Sequence, residues 1–150
     1  MTEWEGRAGA ILRFTALGTG VNYSGTHLLA DLFGCDGLDD IDRIEATLRA
    51  AVKAAGATLL ELRLHGFGEG KGVTGVALLA ESHISIHTWP EHDYAAADIF
   101  LCGRTHDLDA ALAALATGLG AERYEEQRIA RGFSVGDAAP SSSPAEAGEG

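Results

Sequence analysis

The sequence is short of basic residues and of long apolar runs. It contains 11 Lys and Arg against 22 Asp and Glu, a formal net charge of -11 at pH 7. Binding to a nucleic-acid backbone needs clustered Lys and Arg, so we expect no nucleic-acid partner. No stretch approaches the roughly 20 apolar residues of a membrane span. The N-terminus also lacks the basic start and apolar run of a secretory signal. We therefore expect no membrane partner.

Cysteine is also scarce, with only Cys35 and Cys102 present. They lie far apart and form no C-x-x-C pair, which favours free thiols in a reducing cytoplasm over a disulfide framework. A length of 150 residues suits one domain with its own core. We expect that domain at residues 25–136, after a partly flexible segment at 1–24. Residues 137–150 have the composition of a disordered acidic tail.

Apolar spacing predicts two main helices and several strands. Apolar residues recur at helical spacing over 40–55, where Asp39 or Asp40 can cap the helix and Gly56 ends it. An Ala- and Leu-rich helix is predicted at 107–120. Apolar or alternating runs predict strands at 26–35, 58–67, 72–82, 95–103 and 122–135, while 83–89 either continues the 72–82 strand or turns back.

The order of these elements predicts an α+β fold. Consecutive strands with few intervening helices favour an antiparallel sheet with both helices packed on one face, which is a two-layer sandwich. The other face of such a sheet then needs cover. Dimerisation through that face is a simple way to supply it.

The segment ESHISIHTWPE, residues 81–91, carries an unusual number of reactive side chains. As a solvated strand it would place His83, Ser85 and His87 on one polar face without any function. A metal site would need His83 and His87 to share one ion, but strand rise places them about 13 Å apart, so no metal is predicted. A serine hydrolase would pair Ser82 with His87, yet no G-x-S-x-G turn surrounds the serine.

A longer pattern resembles a known family. ESHISIHTWPE, followed by YAAADIFLCG at 94–103, is similar to the signature of the prokaryotic S-adenosylmethionine decarboxylases. GTHLLADLFGCDG at 25–37 resembles the first strand of that family, and GVTGVALLAES at 72–82 resembles the strand before its processing site. This resemblance is long and specific, and it outweighs the three readings of the segment taken alone.

The resemblance implies a proenzyme that cuts its own backbone between Glu81 and Ser82. In the family the serine hydroxyl attacks the preceding carbonyl to form an ester, and β-elimination leaves a covalent pyruvoyl group. The products would be a β chain, 1–81, and an α chain that begins at the converted Ser82. The pyruvoyl carbonyl would then form a Schiff base with the substrate amine and serve as an electron sink during decarboxylation.

Further site residues follow from the same resemblance. His87 matches the family's processing histidine, and Thr74 stands where the family usually has a processing serine. Cys102 matches the cysteine that returns a proton to the substrate. Phe67, Trp89 and Glu91 fall where the family contacts the bound nucleoside, by stacking or by hydrogen bonds to ribose.

The loop before the processing strand departs from the family pattern. Phe67 is followed by GEGKGVTG, a turn that is one residue longer, lacks proline and adds Gly68 and Gly70. This departure bears on which amine is decarboxylated. The favoured substrate is S-adenosylmethionine, for spermidine synthesis, and arginine or ornithine is the alternative. A non-catalytic regulatory paralogue is the third possibility. The resemblance also implies a homodimer of processed protomers.

Overall fold

The computed structural model describes residues 24–102 and 105–132, and this part of the chain forms one six-stranded sheet and two α-helices. All strand pairs are antiparallel, in the order β2-β3-β4-β5-β1-β6. The predicted flexible segment, apart from Ser24, and the predicted acidic tail lie outside the described residues. The elements are β1 (Gly25–Phe33), α1 (Ile41–Ala55), β2 (Leu59–Gly66), β3 (Val73–Leu79), β4 (Ser82–Trp89), β5 (Tyr94–Cys102), α2 (Leu108–Gly118) and β6 (Arg123–Arg131), with a short 3-10 helix at Pro90–His92.

Both helices pack on each other and on the same face of the sheet, which confirms the predicted α+β two-layer fold. Helix α1 begins where the Asp40 side chain accepts the backbone N–H of Arg43, and it ends at Gly56, whose φ of 72° is left-handed. Apolar side chains of both layers form one core between them. Its fully buried large members include Leu28, Leu32, Ile44, Leu48, Ile84, Ile86, Ile99 and Leu115.

The two cysteines are free thiols, as expected from their spacing. Cys35 lies in the core with 3% of its surface exposed. Burial, followed by the nearby charges of Asp36 and Asp93, raises the pKa of the Cys35 thiol to about 11. This thiol is therefore neutral at physiological pH and unreactive. Neither α-helix in the described part of the chain is long and apolar enough to cross a membrane.

Residues 83–89 turn back on the preceding strand. The strand expected at 72–82 ends at Leu79, and Ser82 pairs with Leu79 across a two-residue turn made by Ala80 and Glu81. The expected continuation of that strand to Ser82 is therefore wrong. The loop before the processing strand joins β2 to β3 as a hairpin, and Gly68 and Gly70 in it have φ values of 125° and 70°, which favour glycine.

The second face of the sheet, called here the open face, carries no helix from the described residues. Alternation places Asp31 of β1, His87 of β4 and Asp98 of β5 on this face, opposite the buried core residues. Large apolar side chains are also exposed on it. They are Leu29 at 40%, Leu78 at 43%, Trp89 at 38% and Ile129 at 42%. The residues singled out in ESHISIHTWPE therefore lie on or beside a partly apolar surface.

Candidate active site

The bond between Glu81 and Ser82 follows a strained residue. Glu81 has a φ of 60°, in the left-handed region that residues with side chains adopt at a cost. Two-residue hairpin turns usually place glycine or asparagine at such positions. Non-glycine residues held in this conformation concentrate at functional sites. Glu81 is therefore an observed backbone outlier directly before the predicted cleavage point.

Cys102 of β5 contacts both sides of this bond. Its backbone N–H donates to the Ser82 hydroxyl oxygen at 3.0 Å. Its thiol donates to the Glu81 carbonyl oxygen, with 2.7 Å between sulfur and oxygen. The contact arises because β4 and β5 pair in a register that, continued by two residues beyond His83 and Phe100, sets Cys102 opposite Glu81. The sheet thus brings together three residues predicted from the sequence.

A second group of predicted residues meets at the other end of β4. Thr74 of β3 is the cross-strand partner of His87, and the Thr74 hydroxyl lies 3.1 Å from Nδ1 of His87. Both side chains line a cavity of about 440 Å³ that is also lined by Phe67, Trp89 and Glu91. The predicted processing pair and the predicted substrate contacts therefore form one cluster.

Within a single chain the two groups do not meet. His87 follows Ser82 by five residues along β4, and strand rise places them about 17 Å apart. An odd spacing also directs their side chains to opposite faces of the sheet. The Ser82–His87 approach that a serine hydrolase would need is thus absent from the described chain.

Trp89 rests on an aromatic row that crosses three strands. It stacks on Tyr94 with 5.3 Å between ring centroids, and Tyr94 in turn lies 5.5 Å from Phe33. The Tyr94 hydroxyl donates to Asp31. Burial, then this hydrogen bond and the charge of Asp31, raises the pKa of Tyr94 to about 12. The Trp89 ring in the cavity wall therefore packs against a tyrosine that is itself fixed by a hydrogen bond.

A polar cluster on the open face was not anticipated from the sequence. His27, His83 and Asp98 lie close enough that their possible metal-ligand atoms all fall within 4.8 Å of one another. This set differs from the pair of His83 and His87 considered above. Alternation along β1 and β4 shows that His27 and His83 share a face only when the order and register of the strands are known, and neither can be read from the sequence. The prediction that no metal binds here stays a prediction.

Comparison with known proteins agrees with this fold and geometry. The solved adenosylmethionine decarboxylase from Aquifex aeolicus VF5 is 40% identical, with a TM-score of 0.66, over 74% of this chain and 92% of that chain. A family model described as S-adenosylmethionine decarboxylase matches residues 26–132. The described fold is therefore that of a decarboxylase family.

Individual relatives give the same result. A protein from Thermomicrobium roseum named S-adenosylmethionine decarboxylase proenzyme is 40% identical over 111 residues, covering 74% of this chain and 96% of the relative. One of the same name from Methanococcus maripaludis is 47% identical over 111 residues, covering 73% and 90%. The chain belongs to the S-adenosylmethionine decarboxylase family.

Proposed function

We propose that this chain is a proenzyme that cuts itself between Glu81 and Ser82 and then decarboxylates S-adenosylmethionine. The observation that carries the proposal is Cys102, which touches the Glu81 carbonyl and the Ser82 hydroxyl at the same time. The relatives' shared name, with the word proenzyme in it, supports the same reading. We place the catalytic domain at residues 25–136, in the cytoplasm.

The geometry suits attack of Ser82 on its own preceding carbonyl. The backbone N–H of Cys102 holds the Ser82 oxygen in one position, which lowers the entropic cost of the attack. The strained φ of Glu81 raises the energy of the uncut turn. The Cys102 thiol already donates to the oxygen that would become negatively charged, as an oxyanion hole does.

The remaining steps follow from the chemistry of an ester. Attack moves the Glu81 acyl group from nitrogen to the Ser82 oxygen, and elimination then releases it as the carboxylate of the β chain. Water replaces the freed nitrogen of residue 82, ammonia leaves, and a pyruvoyl group remains. This group supplies an electron sink for decarboxylation of an α-amino acid. Cys102 would then lie beside it as the proton donor.

The cavity at the far end of β4 suits recognition of a nucleoside. Phe67 and Trp89 offer aromatic faces for a base, and Glu91 offers a carboxylate for ribose hydroxyls. The residues that line it include Gly70, Lys71 and Gly72 of the altered loop. Arginine or ornithine, which lack a nucleoside, would leave these aromatic surfaces without a partner.

We propose that the complete site forms between two copies of the chain. Processing needs a base near Ser82, yet His87 lies about 17 Å away on the same strand. A two-fold axis crossing β4 near Ser85, between two facing sheets, would bring the Ser82 end of one protomer to the His87 end of its partner. The exposed apolar side chains of the open face would be covered by the same contact.

Intact-mass analysis tests the processing step. We expect two fragments, 1–81 and an α chain beginning at a modified residue 82, and one uncut chain for Ser82→Ala. A wild-type chain that stays whole would contradict the proposal and would favour the non-catalytic paralogue.

CO2 release from S-adenosylmethionine, arginine and ornithine, measured side by side, tests the substrate. We expect release from S-adenosylmethionine alone.

A further inference from the structure

Cleavage would remove the covalent link that holds the first residues of β4. In the intact chain the turn at Ala80 and Glu81 joins β3 to β4. Cutting the bond before Ser82 turns this end of β4 into a chain terminus, and chain termini fray unless other contacts hold them. The reactive group proposed above would sit on that terminus, directly before His83.

Besides the backbone ladders to β3 and β5, one carboxylate ties the side chains at this end of β4 to the neighbouring strand. Nε2 of His83 lies 3.5 Å from Oδ1 of Asp98 on β5. The Ser85 hydroxyl donates to the same oxygen. The His83 ring also packs against Phe100, with 5.9 Å between ring centroids. Asp98 therefore contacts the first two side chains that β4 places on the open face.

Asp98 is fixed from its other side by β1 and β6. Nε2 of His27 donates to Oδ2 of Asp98 at 2.8 Å, and Arg131 donates to Nδ1 of His27 at 3.0 Å. Because Nδ1 accepts this bond, the proton of a neutral His27 ring is on Nε2 and points at Asp98. The same proton argues against a metal ion between them, since a metal would need the Nε2 lone pair.

The carboxylate of Asp98 is charged at neutral pH. Its burial raises the pKa, but hydrogen bonds from Ser85 and His27, with the nearby His83 imidazole, outweigh burial and hold the pKa of Asp98 below its usual value. Its side chain is 26% exposed. A charged acceptor makes stronger hydrogen bonds than a neutral one, which suits a contact that must resist fraying.

We propose that Asp98 is a positioning residue that clamps the new end of β4 after self-cleavage and keeps residue 82 aligned with Cys102. The inference rests on the proposed function. Asp98 and Cys102 share one strand and one face of it, so a single rigid element carries both the clamp and the thiol. Before cleavage the covalent turn holds this end of β4 in place, so the Asp98 contacts are needed for alignment only after cleavage.

The test compares Asp98→Asn in a chain that cuts itself with the same change in the uncuttable Ser82→Ala chain. Hydrogen–deuterium exchange of residues 83–89 is the first readout. We expect Asp98→Asn to speed this exchange about tenfold in the cut protein and much less in the uncut one. The second readout is kinetic: kcat should fall about tenfold to a hundredfold with KM almost unchanged, since Asp98 does not line the substrate cavity.

Glu45→Gln is the control, because Glu45 is a partly exposed carboxylate on α1, away from the open face, and is bonded to Arg49 of its own helix. It should change neither readout. Equal loss of protection in the cut and uncut chains would overturn the inference alone, as would unchanged exchange in the cut protein. Failure of the wild-type chain to cut would overturn the proposed function and the inference together.

Discussion

The two ends of β4 are built in different ways. At the Ser82 end, the contacts to Cys102 run through a backbone N–H and a backbone carbonyl, and the strain lies in the Glu81 backbone. At the His87 end, side chains from a glycine-rich loop and a short 3-10 helix surround an open cavity. The proposed covalent chemistry thus depends on strand register, whereas the proposed recognition depends on side chains that can change without disturbing the turn.

The largest expected effect comes from separating the two ends onto different chains. Ser82→Ala and His87→Ala should each fail to cut when expressed alone. Expressed together, they should form mixed dimers in which the Ser82 end of one chain meets the intact His87 of the other. We expect cleavage of the His87→Ala chain to reappear, measured by intact mass. Absence of rescue would mean that one chain supplies both ends.

Cys102→Ala should have the next largest effect. The effect should be confined to the chemistry at the Ser82 end, which is the end of β4 that Cys102 contacts. Loss of the thiol removes a proton donor, so turnover should fall about a hundredfold or more. Cleavage should slow but continue, because the backbone N–H that holds Ser82 is retained. Single-turnover CO2 release and gel analysis of cleavage measure the two effects. Cys102→Ser should restore cleavage more than turnover, and full turnover in Cys102→Ala would contradict the role.

Changes at the recognition end should be smaller and should spare cleavage. Phe67→Ala removes an aromatic surface that is 58% exposed in the cavity wall. We expect KM for S-adenosylmethionine to rise about tenfold, which corresponds to the loss of roughly one stacking contact. Leu60→Ala is the control, since Leu60 is exposed on β2 away from this cavity. Equal KM changes in both variants would contradict the assignment of Phe67.

The smallest expected effect is on the free energy of unfolding, through the Tyr94 side chain that packs against Trp89. Because the pKa of Tyr94 is raised from 10.0 to about 12, its protonated hydroxyl stabilises the fold below pH 10. This contribution is lost as pH rises from about 10 to about 12, since the unfolded chain ionises first. Unfolding free energy measured across this range should fall more for wild type than for Tyr94→Phe. Parallel curves for the two proteins would contradict the linkage.

The helices and most strands could be predicted because their signals are local. Asp40 caps α1 and Gly56 ends it, as the residues at those positions indicated, and α2 lies within the predicted range 107–120. The turn between β3 and β4 was missed as a firm prediction because Ala80 and Glu81 carry no turn chemistry. The local rule for turn residues thus fails at Glu81, the strained residue before the proposed cleavage point.

The site could be predicted only in part. The contact between Cys102 and Ser82 joins residues of adjacent strands, and register cannot be read from one sequence. The family resemblance assigned both residues to one site but did not predict the contact between them. The pairing of Asp98 with His27 was missed because the two residues lie 71 positions apart, on strands that become neighbours only in the folded sheet. The separation of Ser82 from His87 along β4 also required the strand itself.

The two-residue turn has a consequence for how the protein folds. As one chain, β3 and β4 find each other by closing a very short loop, which is fast and independent of concentration. After the proposed cleavage, the same pairing would join two separate polypeptides. Refolding of the cut protein would then be a bimolecular reaction whose rate depends on fragment concentration. At low concentration the cut protein would therefore recover from unfolding more slowly than the uncut chain.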